Sequence, residues 1–137
     1  TRPFDLPVIG GEVPTEHPLE SVSRLIHFTE EIQKAAGEVP VIGNGYSWLR
    51  EYIPYVGAAN LQKGRCTMVG LGRQGFAYPD APRDILINGG MKPEKCCITC
   101  SKCTQIMRDH GKTGCVIRDS EVYALLYQEA RGCRKSQ

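Results

Sequence analysis

Long hydrophobic runs are missing from this chain: no stretch approaches the ~18 apolar residues that crossing a bilayer requires. No charged, then apolar, then small-residue segment of the secretory kind opens it either, so a cytoplasmic location and no membrane partner are expected. Basic character is nearly absent too. Seventeen Lys and Arg face fifteen Asp and Glu, with no basic run and few aromatics beside the charges, which argues against nucleic acid as the partner. There is no internal repeat and no low-complexity tract. Histidine is scarce: His17, His27 and His110 are scattered along the chain. Trp48 and Tyr52 are expected to pack a helix, and Arg118 and Asp119 to lie on the surface.

Cysteine, by contrast, is abundant. Seven in 137 residues is a high count for a chain expected in a reducing compartment, where clustered thiols point to metal rather than to disulfides. Cys66, Cys96 and Cys133 are scattered or extra, but Cys97, Cys100, Cys103 and Cys115 form C-x2-C-x2-C-x11-C. Three thiolates on one tight loop can hold three corners of a [4Fe–4S] cube, with a fourth from a nearby turn. Gly111 and Gly114 are expected to let the chain fold back and deliver Cys115. Three other readings stay open. Zinc usually takes two separate C-x2-C pairs. A three-cysteine cluster working with S-adenosylmethionine needs C-x3-C-x2-C, which Cys96, Cys100 and Cys103 fit literally. Free thiols without metal are the third.

Organisation along the chain is of the α/β kind. Residues Thr1 to His17, with Pro3, Pro7, Pro14 and Gly10-Gly11, read as an irregular loop. Leu19, Val22, Leu25, Ile26 and Ile32 recur at helical spacing between Pro18 and Gly37, predicting a helix at about 18–36. Val39-Pro40-Val41-Ile42 reads as a short buried parallel strand ending at Gly43-Asn44-Gly45. A second helix is expected from Ser47, with Leu49, Tyr52, Ile53 and Val56 on one face and a kink or stop at Pro54. Cys66 to Gly72 reads as a second buried strand, and a helical tail is expected around Glu121 to Ala130. Gly70-Leu71-Gly72-Arg73-Gln74-Gly75 matches G-x-G-x-x-G, but the proline-broken stretch Phe76 to Pro82 does not supply the long helix a dinucleotide fingerprint opens. The two glycine-ended strands, Asn44-Gly45 and Gly72-Arg73, are instead candidate halves of one phosphate cradle, with Arg73 as a planar charged fork.

That cradle position is where β/α barrels hold phosphate, after their last two strands. Val39 to Tyr46, then Val69-Gly70-Leu71-Gly72-Arg73 and Tyr78-Pro79-Asp80, resemble the seventh and eighth strands of the Old Yellow Enzyme or NADH:flavin oxidoreductase family. The cysteine run falls where the 2,4-dienoyl-CoA reductase and trimethylamine dehydrogenase branch carries its [4Fe–4S] ligands. The resemblance spans Thr1 to about Asp119, with Val116-Ile117-Arg118-Asp119 where those relatives usually have Asn-Pro. It implies the C-terminal fragment of a TIM (β/α)8 barrel: the last two strands and their helices over 1–95, a Cys-rich iron–sulfur segment over 96–119, and a helical tail over 120–137. It also implies an FMN-phosphate site at Asn44, Gly45, Gly72 and Arg73, and a cluster on Cys97, Cys100, Cys103 and Cys115. The enzyme so implied moves electrons from NAD(P)H through FMN to a small organic acceptor. Its catalytic residues would come from a missing N-terminal portion of the barrel, consistent with an opening Thr1, so the fragment alone is expected to be inactive. The polar tail is read as a genuine C-terminus of a single-barrel relative. The alternative function is a non-catalytic zinc-binding module on an α/β scaffold.

Overall fold

The computed structural model describes residues 16–133. Residues 1–15 of the expected opening loop and the last four residues therefore lie outside the described residues, as does the Cys133 side chain.

Helix α1 runs Pro18–Ala36 and begins where its chemistry dictates. The His17 ring accepts the Leu19 N–H through Nδ1 at 3.2 Å, and Pro18 occupies the first turn, where its missing N–H costs nothing. Lys34 pairs with Glu30 at 3.1 Å and Glu31 at 2.9 Å in the last turns. Gly37, at φ 59°, ends the helix as expected. Val22 is buried, whereas Phe28 and Ile32 are exposed.

Two parallel strands follow the predicted order but are short. Strand β1 (Ile42–Gly43) pairs with β2 (Met68–Val69) in the register Ile42 to Met68 and Gly43 to Val69. The predicted burial holds only in part: Cys66 is buried and Val69 packs against the core, but Val39, Ile42 and Met68 are exposed, because no described element covers their outer face. Gln33 of α1 ties the pair together, its Oε1 accepting the Val41 N–H at 3.2 Å and the Thr67 hydroxyl at 2.8 Å.

Between the strands the chain makes a 3-10 turn, Ser47–Tyr52, and helix α2, Ile53–Gln62. The break falls at Arg50, whose φ of 52° interrupts the turn, rather than at Pro54. Pro54 sits in the first turn of α2 and starts the helix. Tyr52 does not pack as expected; it is 62% exposed, while Ile53 takes the buried position and Trp48 lies half-buried against the core.

Beyond β2 come α3 (Gly72–Ala77), α4 (Ala81–Asn88), α5 (Lys102–Arg108) and α6 (Ser120–Cys133). Helix α4 was hidden behind its proline, since Pro82 reads as a breaker but occupies the first turn. Residues Val22, Tyr46, Ile53, Tyr78, Ala81, Met91 and Cys96 form the buried core, joining α1, α2 and α4 to the start of the cysteine segment. The architecture is thus mixed α/β, largely helical, with one pair of short parallel strands. Among the described residues no helix is long and apolar enough to cross a membrane.

Candidate metal centre and phosphate site

The cysteine segment is hung from the core by Cys96. Its side chain is fully buried, its thiol donates to the Lys92 carbonyl at 3.4 Å, and burial, reinforced by the Glu51 charge, pushes its pKa up. Cys96 does not line the pocket that Cys100 and Cys103 share.

Cys97, Cys100, Cys103 and Cys115 do line one small pocket, together with Arg73, Ser101 and Arg118. Each arrives by a different local device. The Cys97 N–H donates to Oε1 of the fully buried Gln74 at 3.0 Å. Thr99 and Ser101 adopt left-handed φ values of 54° and 57° on either side of Cys100, which curls the chain so tightly that α5 can start at Lys102. Cys103 then sits in the first turn of α5. After α5, His110 takes the left-handed stop at φ 59°, and the Gly111 N–H donates to the Ile106 carbonyl at 2.9 Å. Gly114 is needed for close approach rather than for flexibility, because a Cβ there would collide with the Tyr123 ring of α6. Cys115 follows immediately.

Backbone N–H groups point at these sulfurs: Cys97 Sγ accepts from Thr99 at 3.3 Å, Cys115 Sγ from Arg118 at 3.3 Å, and Cys103 from Thr104. Such donors stabilise negative charge on sulfur. Burial works the other way, pushing the Cys97 and Cys103 thiols above their usual range, while the Arg73 charge pulls both back down. Among the described residues no group of three or more His, Cys, Asp or Glu is arranged to hold a metal ion as it stands, and the six described cysteines are free thiols. The donors therefore fit a four-thiolate group in chemical type and common location, while their present spacing does not by itself hold one.

The strand ends are also brought together. Because β1 and β2 are parallel, the chain leaves both at the same edge, through Asn44-Gly45 and through Gly70-Leu71-Gly72. The Gly70 N–H donates to the Gly43 carbonyl at 2.8 Å, extending the pairing by one residue. The Asn44 side chain lies over Gly70 so closely that any Cβ at 70 would collide with it, and its Nδ2 donates to the Ile42 carbonyl at 3.2 Å. Gly45 has φ 95°, which only glycine adopts easily, and nothing lies within 4 Å of a Cβ built at Gly72. Gly72 opens α3, a helix of six residues where the sequence promised none; Pro79 follows its end, and it is too short to complete a dinucleotide fingerprint. The Arg73 side chain reaches beyond its own strand end. Its guanidinium donates to Ser101 Oγ at 3.3 Å and lines the cysteine pocket, so Arg73 links the backbone of one strand end to the candidate metal centre.

None of the three histidines lines this pocket: His17 caps α1 and meets the Trp48 ring edge-on at 5.6 Å, His27 lies exposed on α1, and His110 ends α5. Gln74, Ser101 and Arg118 were not found by sequence reasoning. Arg118 is exposed, as expected, and its guanidinium also donates from Nε and Nη2 to the Cys96 carbonyl at 3.2 and 2.8 Å. No periodicity or spacing marks these residues, because each acts on a segment distant in sequence.

Comparison with protein-family models, with curated proteins and with solved structures finds no match for this chain. The class is therefore defined by the arrangement itself: a mixed α/β chain in which a parallel strand pair ends beside a four-cysteine pocket.

Proposed function

We propose that this chain is the C-terminal portion of an FMN-dependent β/α-barrel oxidoreductase that carries a [4Fe–4S] cluster. The observation that carries the reading is the convergence of Cys97, Cys100, Cys103 and Cys115 on one pocket, from an extended segment, a tight turn, a helix and a return loop. In this proposal those four thiolates hold the cluster. The Arg73 charge and the backbone N–H groups of Thr99 and Arg118 offset the negative charge that four thiolates concentrate in a small volume. Asn44, Gly45, Gly72 and the Arg73 backbone hold the flavin phosphate at the paired strand ends, where a missing Cβ at Gly72 leaves room for an approaching anion. FMN supplies hydride and single-electron chemistry when bound. Arg73 spans the two groups and fixes their separation. The electron donor is NAD(P)H, the acceptor a small organic molecule, and the substrate site belongs to the N-terminal barrel portion; neither nucleic acid nor membrane takes part, and the setting is cytoplasmic.

Metal and flavin content of one anaerobic preparation of the full-length protein tests this reading. The expected result is about four irons per chain with FMN, and loss of the iron in Cys100→Ser. FMN without iron removes the cluster from the proposal. Zinc without flavin overturns it and leaves a zinc-binding module.

A further inference from the structure

The peptide joining Cys96 to Cys97 is pinned at both ends. Its N–H donates to Gln74 Oε1 at 3.0 Å, and its carbonyl accepts two N–H groups of the Arg118 guanidinium at 3.2 and 2.8 Å. At the other end of the same residue, the Arg118 backbone N–H donates to Cys115 Sγ at 3.3 Å, and the Asp119 N–H to the Cys115 carbonyl at 3.0 Å. One residue therefore grips Cys115 through its backbone and the base of the Cys97 loop through its side chain, across a sequence separation of 22. The Gly114 contact with Tyr123 does a different job, since it ties this loop to α6 and not to Cys97.

We propose that Arg118 is the positioning residue that delivers Cys115 to the pocket, by clamping the turn that follows Cys115 onto the Cys96–Cys97 peptide. A side chain is needed here because the return loop between α5 and Cys115 has no secondary structure to direct it. Two charge-assisted bonds to one carbonyl fix both distance and direction, which the single-point ammonium of lysine cannot reproduce. The Cys96 carbonyl is a dependable anchor, because the Cys96 side chain is buried in the core.

The inference rests on the reading of the four cysteines as one ligand set, and two measurements separate its failure from a failure of that reading. In the full-length protein, Arg118→Ala is expected to retain about three irons where the parent holds about four. Ferricyanide, which takes up one electron from a reduced three-iron cluster with no further loss of iron, is expected to bring out the paramagnetic signal of the oxidised three-iron cluster in the variant. Arg118→Lys should be intermediate. Retention of four irons and an unchanged spectrum in Arg118→Ala overturns the clamp. If the parent binds no iron, the cluster reading falls and the clamp is judged on the metal-free protein. There, alkylation of Cys115 by iodoacetamide should accelerate roughly ten-fold in Arg118→Ala, as loss of charge-assisted bonds implies, with buried Cys66 as the folding control. Equal rates at Cys115 overturn the proposal. If Cys66 also becomes reactive, Arg118→Lys decides: Cys115 accelerated with Cys66 protected supports the clamp, and parental rates at both oppose it.

Discussion

Gln74 has no exposed surface, yet its side chain is polar, and its Oε1 is the acceptor for the Cys97 N–H. Replacing it with an isosteric apolar residue would leave that N–H buried without a partner, a situation costing about 1–3 kcal/mol. Gln74→Leu is therefore expected to lower the urea midpoint with no change in slope, while Gln74→Glu, which keeps an acceptor oxygen, recovers part of the loss. An unchanged midpoint for Gln74→Leu would show that the bond contributes nothing. Nothing local in the sequence marked Gln74: it stands inside a glycine-rich stretch that reads as a loop, and its partner is 23 residues away. The cluster of cysteines was easier, since four thiols at short spacing are informative whatever the fold.

At the scale of elements, the cysteine segment carries a definite pH signature. Burial raises the Cys96, Cys97 and Cys103 thiols above their usual range, so the folded metal-free chain favours their neutral forms. A folded pKa above the unfolded one gives stability that is complete below the unfolded value, about 8.5 for a thiol, and is lost as pH rises through the folded values. The thermal midpoint of metal-free protein should accordingly fall between about pH 8.5 and 9.5, below the range in which tyrosines ionise. In Cys97→Ala/Cys103→Ala the fall should be shallower; equal slopes would refute the assignment. Helix α1 was legible from sequence because its start at Pro18, its stop at Gly37 and its apolar repeat are all local signals. The break at Arg50, the left-handed Thr99 and Ser101, and helix α4 were not. In each case a residue with no special local preference, or a proline at a permissive position, follows a path imposed by packing on the core.

For the whole molecule, the notable feature is apolar surface. Val39, Ile42 and Met68 are exposed on and beside the strand pair, and on α4 Leu86 and Ile87 are 84% and 67% exposed. Two strands also leave backbone groups at their edges without a sheet neighbour, which favours pairing with another chain. The isolated 137-residue chain is expected to self-associate with rising concentration in sedimentation velocity, and Ile42→Thr with Met68→Lys to reduce this. A monomer at every concentration would mean that these faces need no covering, and would count against the barrel proposal.

The sequence by itself determined the ingredients: α1 with its two ends, two parallel strands in the right order, and one tight cluster of thiols, all because these are set by local periodicity, turn chemistry and spacing. Only the tertiary structure decided how they are used. It buried Cys96 in the core, set the Arg73 guanidinium against Ser101 beside the cysteine pocket, and brought Gln74 and Arg118 to one peptide from both sides. Those choices depend on contacts between residues more than twenty positions apart, and such contacts follow from the shape of the packed core rather than from any short stretch of chain.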